Sequence, residues 1–200
     1  SITLSKNISA LPTGVFCRCT NLSTFTIPDN IKTIERHAFE GCSKLKSITI
    51  PASVTAMDTA VFANCSELES AILLCNLSKL PDSTFTSCEK LTQVSLPENL
   101  TKIGYSAFEN CQALENIDIP ETVKTIEYHA FTSCKLLGEF TIPEGCETNG
   151  LSAFYGCESL TEIVIPDSVT SLGSTAFYNC KSPKDVTLSK NLPEIMTSTF

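Results

Sequence analysis

The chain has 200 residues, of which 42% are hydrophobic and 18% are charged, and its formal net charge at pH 7 is −8. This apolar fraction predicts an ordered protein, and no apolar run approaches the ~20 residues that a transmembrane helix needs. The acidic balance argues against binding to nucleic acid, whose phosphates require clustered Lys and Arg, and against docking on anionic lipid. Neither nucleic acid nor direct membrane insertion is therefore expected.

A phenylalanine recurs every 23 residues from Phe16 to Phe200, and a cysteine follows each of the first eight phenylalanines by three residues. A strict period of about 20 to 30 residues is typical of a solenoid, whose units bury their apolar faces only by stacking on neighbours. The sequence predicts a single array over residues 1–200, with a partial unit 1–21, seven full units 22–182 and a partial unit 183–200. Neither end has a polar capping unit, so we expect a piece of a longer protein.

Each unit begins with a predicted short strand, which residues 22–44 illustrate. Phe25 and Ile27 are two residues apart and face the core, whereas Thr24 and Thr26 point outward. Pro28 follows, and because proline cannot donate to a hydrogen-bond ladder, the strand is predicted to end there. The proline recurs in five later units, at positions 51, 97, 120, 143 and 166. One strand per unit, stacked at ~4.8 Å, would build a parallel sheet on one side of a curved rod.

The second half of each unit, such as residues 35–41, contains helix-tolerant residues with Ala38 and Phe39 facing inward. Its length permits only a turn of helix, so short helical or 3₁₀ turns are predicted on the convex side. The predicted fold class is therefore α/β. The repeating phenylalanines are predicted to stack with ring centroids about 4.5 to 7 Å apart.

The repeat pattern is Leu-x-x-aliphatic-x-Ile-Pro-x-x-Val-x-x-Ile-x-x-x-Ala-Phe-x-x-Cys. It is clearest at Leu114, Ile117, Ile119, Pro120, Val123, Ile126, Ala130, Phe131 and Cys134. This pattern covers the whole chain and resembles the BspA-like leucine-rich repeats. The resemblance implies a leucine-rich-repeat solenoid with its parallel sheet on the concave side. It also implies a cell-surface or secreted protein of a host-associated bacterium or protozoan, often concerned with adhesion to host proteins or to other cells.

The unit that begins at Leu137 departs most from the pattern. Cys146 and Asn149 occupy the Val and Ile positions and are flanked by Gly145 and Gly150. Because a buried Asn must find hydrogen-bond partners, Asn149 is predicted to turn outward. An irregular backbone over residues 145–150 would follow.

The repeating cysteines are interpreted as buried free thiols that act as small hydrophobic side chains. A straight ladder does not converge four ligands on one point, so no metal site is predicted, and no cofactor is expected either. Disulfides between adjacent coils are the alternative, because Cα separations near 5 Å allow them. Cys17 and Cys75 lie off the ladder in columns of polar or small residues, and they are predicted to be the more reactive thiols.

The sequence does not predict an enzyme. His37 and His129 belong to one column, four coils and ~19 Å apart, and are expected to be solvated on the convex surface. Neither has an evident nucleophile and orienting group of the kind that a catalytic triad needs. Carboxylates in adjacent coils, such as Glu139 and Glu162, meet the spacing of a glycosidase pair, but a flat repeat face offers no pocket to shift one pKa.

The outward strand positions are the predicted binding surface, because a solenoid offers partners its extended concave face. Early coils present hydroxyl and amide groups there, whereas later coils present a carboxylate stripe with few bases nearby. Such a stripe would attract a basic segment of a host or cell-surface protein. The alternative is that the acidic residues only keep an exposed sheet soluble. The candidate partner-binding residues are Asn116, Asp118, Glu121, Glu139, Thr141, Glu144, Glu162, Val164, Asp167 and Asp185.

The function predicted first is a noncatalytic surface module that binds a protein partner, adhering to host or other cell-surface proteins through its concave face. A structural spacer or scaffold array with no ligand of its own is the second hypothesis. An intracellular scaffold is the third, because free thiols are compatible with a reducing compartment.

Overall fold

The computed structural model describes residues 4–200, so the first three residues of the predicted unit 1–21 lie outside the described part. Strands are short and distributed along the whole array. In chain order they are β1 Ala10–Leu11, β2 Thr33–Ile34, β3 Ser47–Ile50, β4 Ala56–Met57, β5 Ser70–Leu73, β6 Lys79–Leu80, β7 Gln93–Ser95, β8 Lys102–Ile103, β9 Thr125–Ile126, β10 Thr148–Asn149, β11 Glu162–Val164, β12 Ser171–Leu172 and β13 Asp185–Thr187.

Every strand pairing is parallel and joins residues 23 positions apart. Ser47 lies opposite Ser70, for example, and Thr125 lies opposite Thr148. The sequence separation between paired residues in the sheets therefore equals the 23-residue repeat period. This confirms the stacked solenoid that the repeating phenylalanines predicted.

The longer strands form the predicted sheet, in which β5 pairs with β3 and with β7, and β11 pairs with β13. An isolated parallel bridge between Asn116 and Glu139 lies between these two groups in the chain. Within β3 the side chains alternate, so that Ile48 and Ile50 are buried while Ser47 and Thr49 are exposed. The proline column ends these strands as predicted, and Val54 N–H closes a turn on the Pro51 carbonyl at 3.1 Å.

A second parallel sheet follows this turn, and the prediction of one strand per unit is wrong. The two-residue strands β1, β2 and β4 form one ladder, and β6, β8, β9, β10 and β12 form another. These strands carry β-branched pairs such as Thr33–Ile34 and Thr125–Ile126, which favour extended backbone. Each pair is too short to be recognised from alternation alone. The ladder forms because identical positions stack in consecutive coils.

The turns on the remaining side are not helical, and between residues 4 and 200 there is no helix or 3₁₀ segment. His37 and Gly41 both have left-handed backbone, with φ of 59° and 70°. Their N–H groups donate to Thr59 and Ala63 of the next coil at 3.1 and 2.8 Å, not to carbonyls one turn earlier in the chain. The predicted helical turns and the α/β class are therefore wrong. The protein is a parallel β-solenoid.

The repeating phenylalanines form a continuous stack through the core. Successive ring centroids are 5.1 to 5.8 Å apart from Phe16 to Phe200. This confirms the predicted spacing. Phe39, Phe62, Phe85, Phe108, Phe131 and Phe154 are fully buried.

The predicted irregularity at residues 145–150 is also wrong. Asn149 is fully buried in β10, in register with Ile126 on one side and Leu172 on the other. Gly150 N–H donates to Ile126 at 2.9 Å, and Gly173 N–H donates to Asn149 at 2.8 Å. The backbone ladder thus holds the side chain inward, although neither polar atom of its amide has a hydrogen-bond partner.

Candidate functional site

The candidate site is the outward side of the sheet formed by the longer strands. We call it the outer sheet face and define it as the outward strand positions together with the residue that follows the proline column. The ten predicted binding residues all lie there and are all exposed. Alternation places them outward, because the intervening positions, such as Ile117 and Ile163, are buried in the core.

The structure brings half of these residues together around shallow, open depressions. Asn116, Asp118, Glu121, Glu139 and Thr141 line one of about 420 Å³. Asp118 and Glu121 also line a neighbouring depression of about 460 Å³, together with Glu98. The acidic groups therefore share a concave surface, and neither depression is an enclosed pocket.

One member of the predicted stripe is already neutralised. The Asp167 carboxylate lies 3.0 Å from Lys190 Nζ and accepts a 2.9 Å hydrogen bond from the Lys190 backbone N–H. These contacts lower the pKa of Asp167, with the backbone hydrogen bond as the largest cause. Lys190 is thus one basic group beside the stripe, where few were expected. Lys190 lies 23 residues after Asp167, at the same position of the next repeat. The sequence alone could therefore have predicted this ion pair.

The other carboxylates of the face lie in no ion pair within the described chain. Acids elsewhere do find lysines in an adjacent coil. Glu67 lies 2.7 Å from Lys90, and Glu158 lies 2.8 Å from Lys181. Others, such as Asp58 and Glu147, lie in no ion pair, so the face is distinguished by grouping many unpaired carboxylates on one surface. The unpaired carboxylates of the face are Asp29, Glu98, Asp118, Glu121, Glu139, Glu144, Glu162 and Asp185.

The cysteine ladder has a hydrogen-bonding role that the sequence analysis did not predict. From Cys42 to Cys180, each repeating thiol donates to the carbonyl of the phenylalanine 26 residues earlier, with Sγ–O distances of 3.1 to 3.3 Å. Burial raises the pKa of Cys65 and of Cys134 to about 12. Packed, protonated thiols are poor nucleophiles and poor metal ligands.

Cys75 is buried as well, so the prediction that it is a reactive thiol is wrong. Its side chain is 2% exposed, and burial raises its pKa to about 11. The cause is Leu74, which replaces the proline and donates its N–H to Ile50 at 2.9 Å. The extended alternation therefore continues for two more residues and turns Cys75 inward. Cys17 is partly exposed.

The two histidines occupy left-handed turn positions and are partly exposed, not fully solvated. His37 Nδ1 lies 2.8 Å from Glu40, and His129 Nδ1 lies 3.3 Å from the Thr132 hydroxyl. Among residues 4–200, no group of three or more His, Cys, Asp or Glu side chains is arranged to hold a metal ion. The same stretch contains no helix long and apolar enough to cross a bilayer.

The profile of the BspA type leucine rich repeat region matches this chain in six copies, over residues 1–115 and 102–200. No curated protein matches it by sequence. Three similar solved structures are a leucine-rich repeat protein from Eubacterium ventriosum, the leucine-rich repeat protein of T. pallidum and a leucine-rich cell surface protein from Faecalibacterium prausnitzii.

The TM-scores of these structures against this chain are 0.73, 0.70 and 0.68, at sequence identities of 26%, 26% and 30%. The alignments cover 78%, 85% and 98% of this chain. They span 42% of the Eubacterium protein, 79% of the T. pallidum protein and 62% of the Faecalibacterium protein. The chain thus has the fold of these leucine-rich repeat proteins.

Proposed function

The chain belongs to the BspA-type leucine-rich repeat family, and we propose that it is a noncatalytic cell-surface or secreted module that binds a protein partner. Leucine-rich-repeat arrays generally mediate protein interactions, and their extended faces are the surfaces that partners use. The Faecalibacterium relative is described as a cell surface protein, which supports the same location for this chain. Adhesion to host or other cell-surface proteins is the biological role that we propose.

The partner that fits best carries a basic segment. The observation behind this proposal is the set of eight exposed carboxylates on the outer sheet face that lack an ion pair, four of which line two adjoining depressions. Like charges placed one coil apart, ~4.8 Å, repel one another and are relieved by a bound cationic side chain. Within this protein such relief is seen where Lys190 contacts Asp167.

The binding mechanism is electrostatic capture followed by short-range contact. Exposed carboxylates accelerate the encounter with a basic partner at low ionic strength, and salt screens this attraction over ~8 to 10 Å. Exposed ion pairs add little net affinity, so the hydroxyl and amide groups of Thr141 and Asn116 must supply part of the contact. We therefore expect a salt-dependent association rate.

The test is to measure binding kinetics of the chain against a panel of extracellular-matrix and epithelial surface proteins. A Glu139→Gln, Glu162→Gln variant is compared with the parent at low and high salt. We expect the association rate of a basic partner to fall by about tenfold at low salt, because the steering charge is lost.

The matched control is the Glu67→Gln, Glu158→Gln variant, which changes the net charge equally on the flank of the array. An equal loss in both variants would reveal nonspecific attraction and contradict a site on the face. If the parent binds no member of the panel, the structural-spacer hypothesis replaces the recognition hypothesis.

A further inference from the structure

Two aliphatic side chains stand exposed on the outer sheet face, next to its acidic half. Ile72 is 40% exposed and Leu74 is 59% exposed, whereas Ala71, Leu73 and Cys75 between and beside them are buried. Both therefore point outward from β5 and its continuation. Neither is needed to fill the core.

Their surroundings are polar and concave. Leu74 lines a depression of about 450 Å³ with Thr26, Thr49 and Pro51. Ile72 lines another, of about 270 Å³, which also includes Asp118. Because Asp118 also lines both acidic depressions, Ile72 and the carboxylates belong to one continuous surface. Leu74 adjoins this surface, since it lies two residues beyond Ile72 on the same side of the chain.

Both residues depart from their columns. Ile72 stands between Thr49 and Ser95, and Leu74 occupies the position of the turn proline. Single exposed apolar residues are common, but two neighbouring ones, each at a depression with polar lining residues, are typical of protein-binding sites. Apolar anchors buried in such depressions contribute most of the binding energy of many interfaces.

We propose that Ile72 and Leu74 form an anchor site for a large apolar side chain of the partner, and that Lys or Arg residues of the same segment reach the acidic coils. This inference rests on the proposed function and specifies the partner. Glu121 and Glu144 lie two and three coils beyond Leu74, which at ~4.8 Å per coil is roughly 10 to 14 Å. An extended segment covers that distance in about three to five residues.

The probe is a phage-displayed library of random peptides of about 12 residues, which span roughly 40 Å when extended. Peptides selected on the parent chain are sequenced, synthesised and titrated against Leu74→Ser. The matched control is Leu151→Ser, because Leu151 is 37% exposed but lies on the turn side. Thermal unfolding of both variants checks that the fold is intact.

We expect the selected peptides to combine a large apolar residue with Lys or Arg about three to five positions away. Leu74→Ser should weaken their binding about tenfold, and Leu151→Ser should not change it. If the selected peptides are basic, lack a large apolar residue and bind Leu74→Ser as tightly as the parent, the anchor site is refuted. In that case the proposed function still holds if the Glu139→Gln, Glu162→Gln variant binds these peptides more weakly than the parent. If the peptides bind the parent and all of these variants with equal affinity, both proposals are overturned.

Discussion

Asn149 shows how a side chain and the backbone can have opposing requirements at one residue. Its amide is fully buried with no partner for either polar atom, between Ile126 and Leu172 of the neighbouring coils. Leaving a buried amide unpaired costs about 1 to 3 kcal/mol. Turning it outward would break the inter-coil hydrogen bonds on both sides of β10, and the structure retains those bonds.

The variant Asn149→Ile should therefore be more stable than the parent, by roughly 1 to 3 kcal/mol in the free energy of unfolding. Isoleucine restores the residue type of the column and removes the unpaired amide. Chemical denaturation measures the change, provided that the unfolding free energies of parent and variant depend on denaturant concentration with the same slope. The exposed Asn116→Ile substitution is the control and should give no such gain. A destabilised Asn149→Ile protein would show that the coil has no room for the larger side chain.

The turn that follows the second short strand of each coil depends on two residues with left-handed backbone. The second of these is occupied by Gly41, Asn64 and Asn110, among others, with φ between 61° and 70°. In the turn of residues 62–65, Cys65 N–H bonds to Phe62 at 3.2 Å, and Asn64 is the third residue. A left-handed third residue is the feature of a type II turn, for which glycine and asparagine are preferred. The Gly and Asn of this column were thus a turn signal within a segment interpreted as helical.

Asn64→Val should lower the free energy of unfolding by about 1 to 2 kcal/mol, because a β-branched residue tolerates left-handed backbone poorly. Asn64→Gly should remain within a few tenths of a kcal/mol of the parent. Urea denaturation measures the free energy of unfolding of both variants. Equal stability of the valine and glycine variants would mean that the turn relaxes out of the left-handed conformation.

Across the whole molecule, the cysteine ladder couples stability to pH. Burial raises the pKa of the Cys88, Cys111 and Cys157 thiols well above the ordinary value, so the folded protein keeps protons that the unfolded chain loses. Unfolded thiols ionise near pH 8.5, and above that pH the unfolded state binds fewer protons. The contribution is complete below pH ~8.5 and is lost as pH rises toward the folded pKa values.

Thermal stability under reducing conditions should therefore fall steeply between pH ~8 and ~10. Each fully buried thiol contributes about 1.4 kcal/mol of destabilisation per pH unit in this range. Melting temperatures in a series of buffers measure the slope, and the variant Cys88→Ala, Cys111→Ala should show a smaller one. The comparison of parent and variant assigns the slope to the thiols. Identical slopes for parent and variant would contradict this coupling.

The period of 23 residues determined, without any structure, that the chain is a stacked array, which residues share a ladder, and which strand positions point outward. It did so because a unit this small can bury its apolar side chains only against equivalent ones. The tertiary structure alone decided the second sheet, the turn conformation and the inward directions of Cys75 and Asn149. It also decided that Ile72, Leu74 and the carboxylates line depressions on the same face. These features depend on hydrogen bonds and surface contacts between coils, whose geometry no single unit encodes.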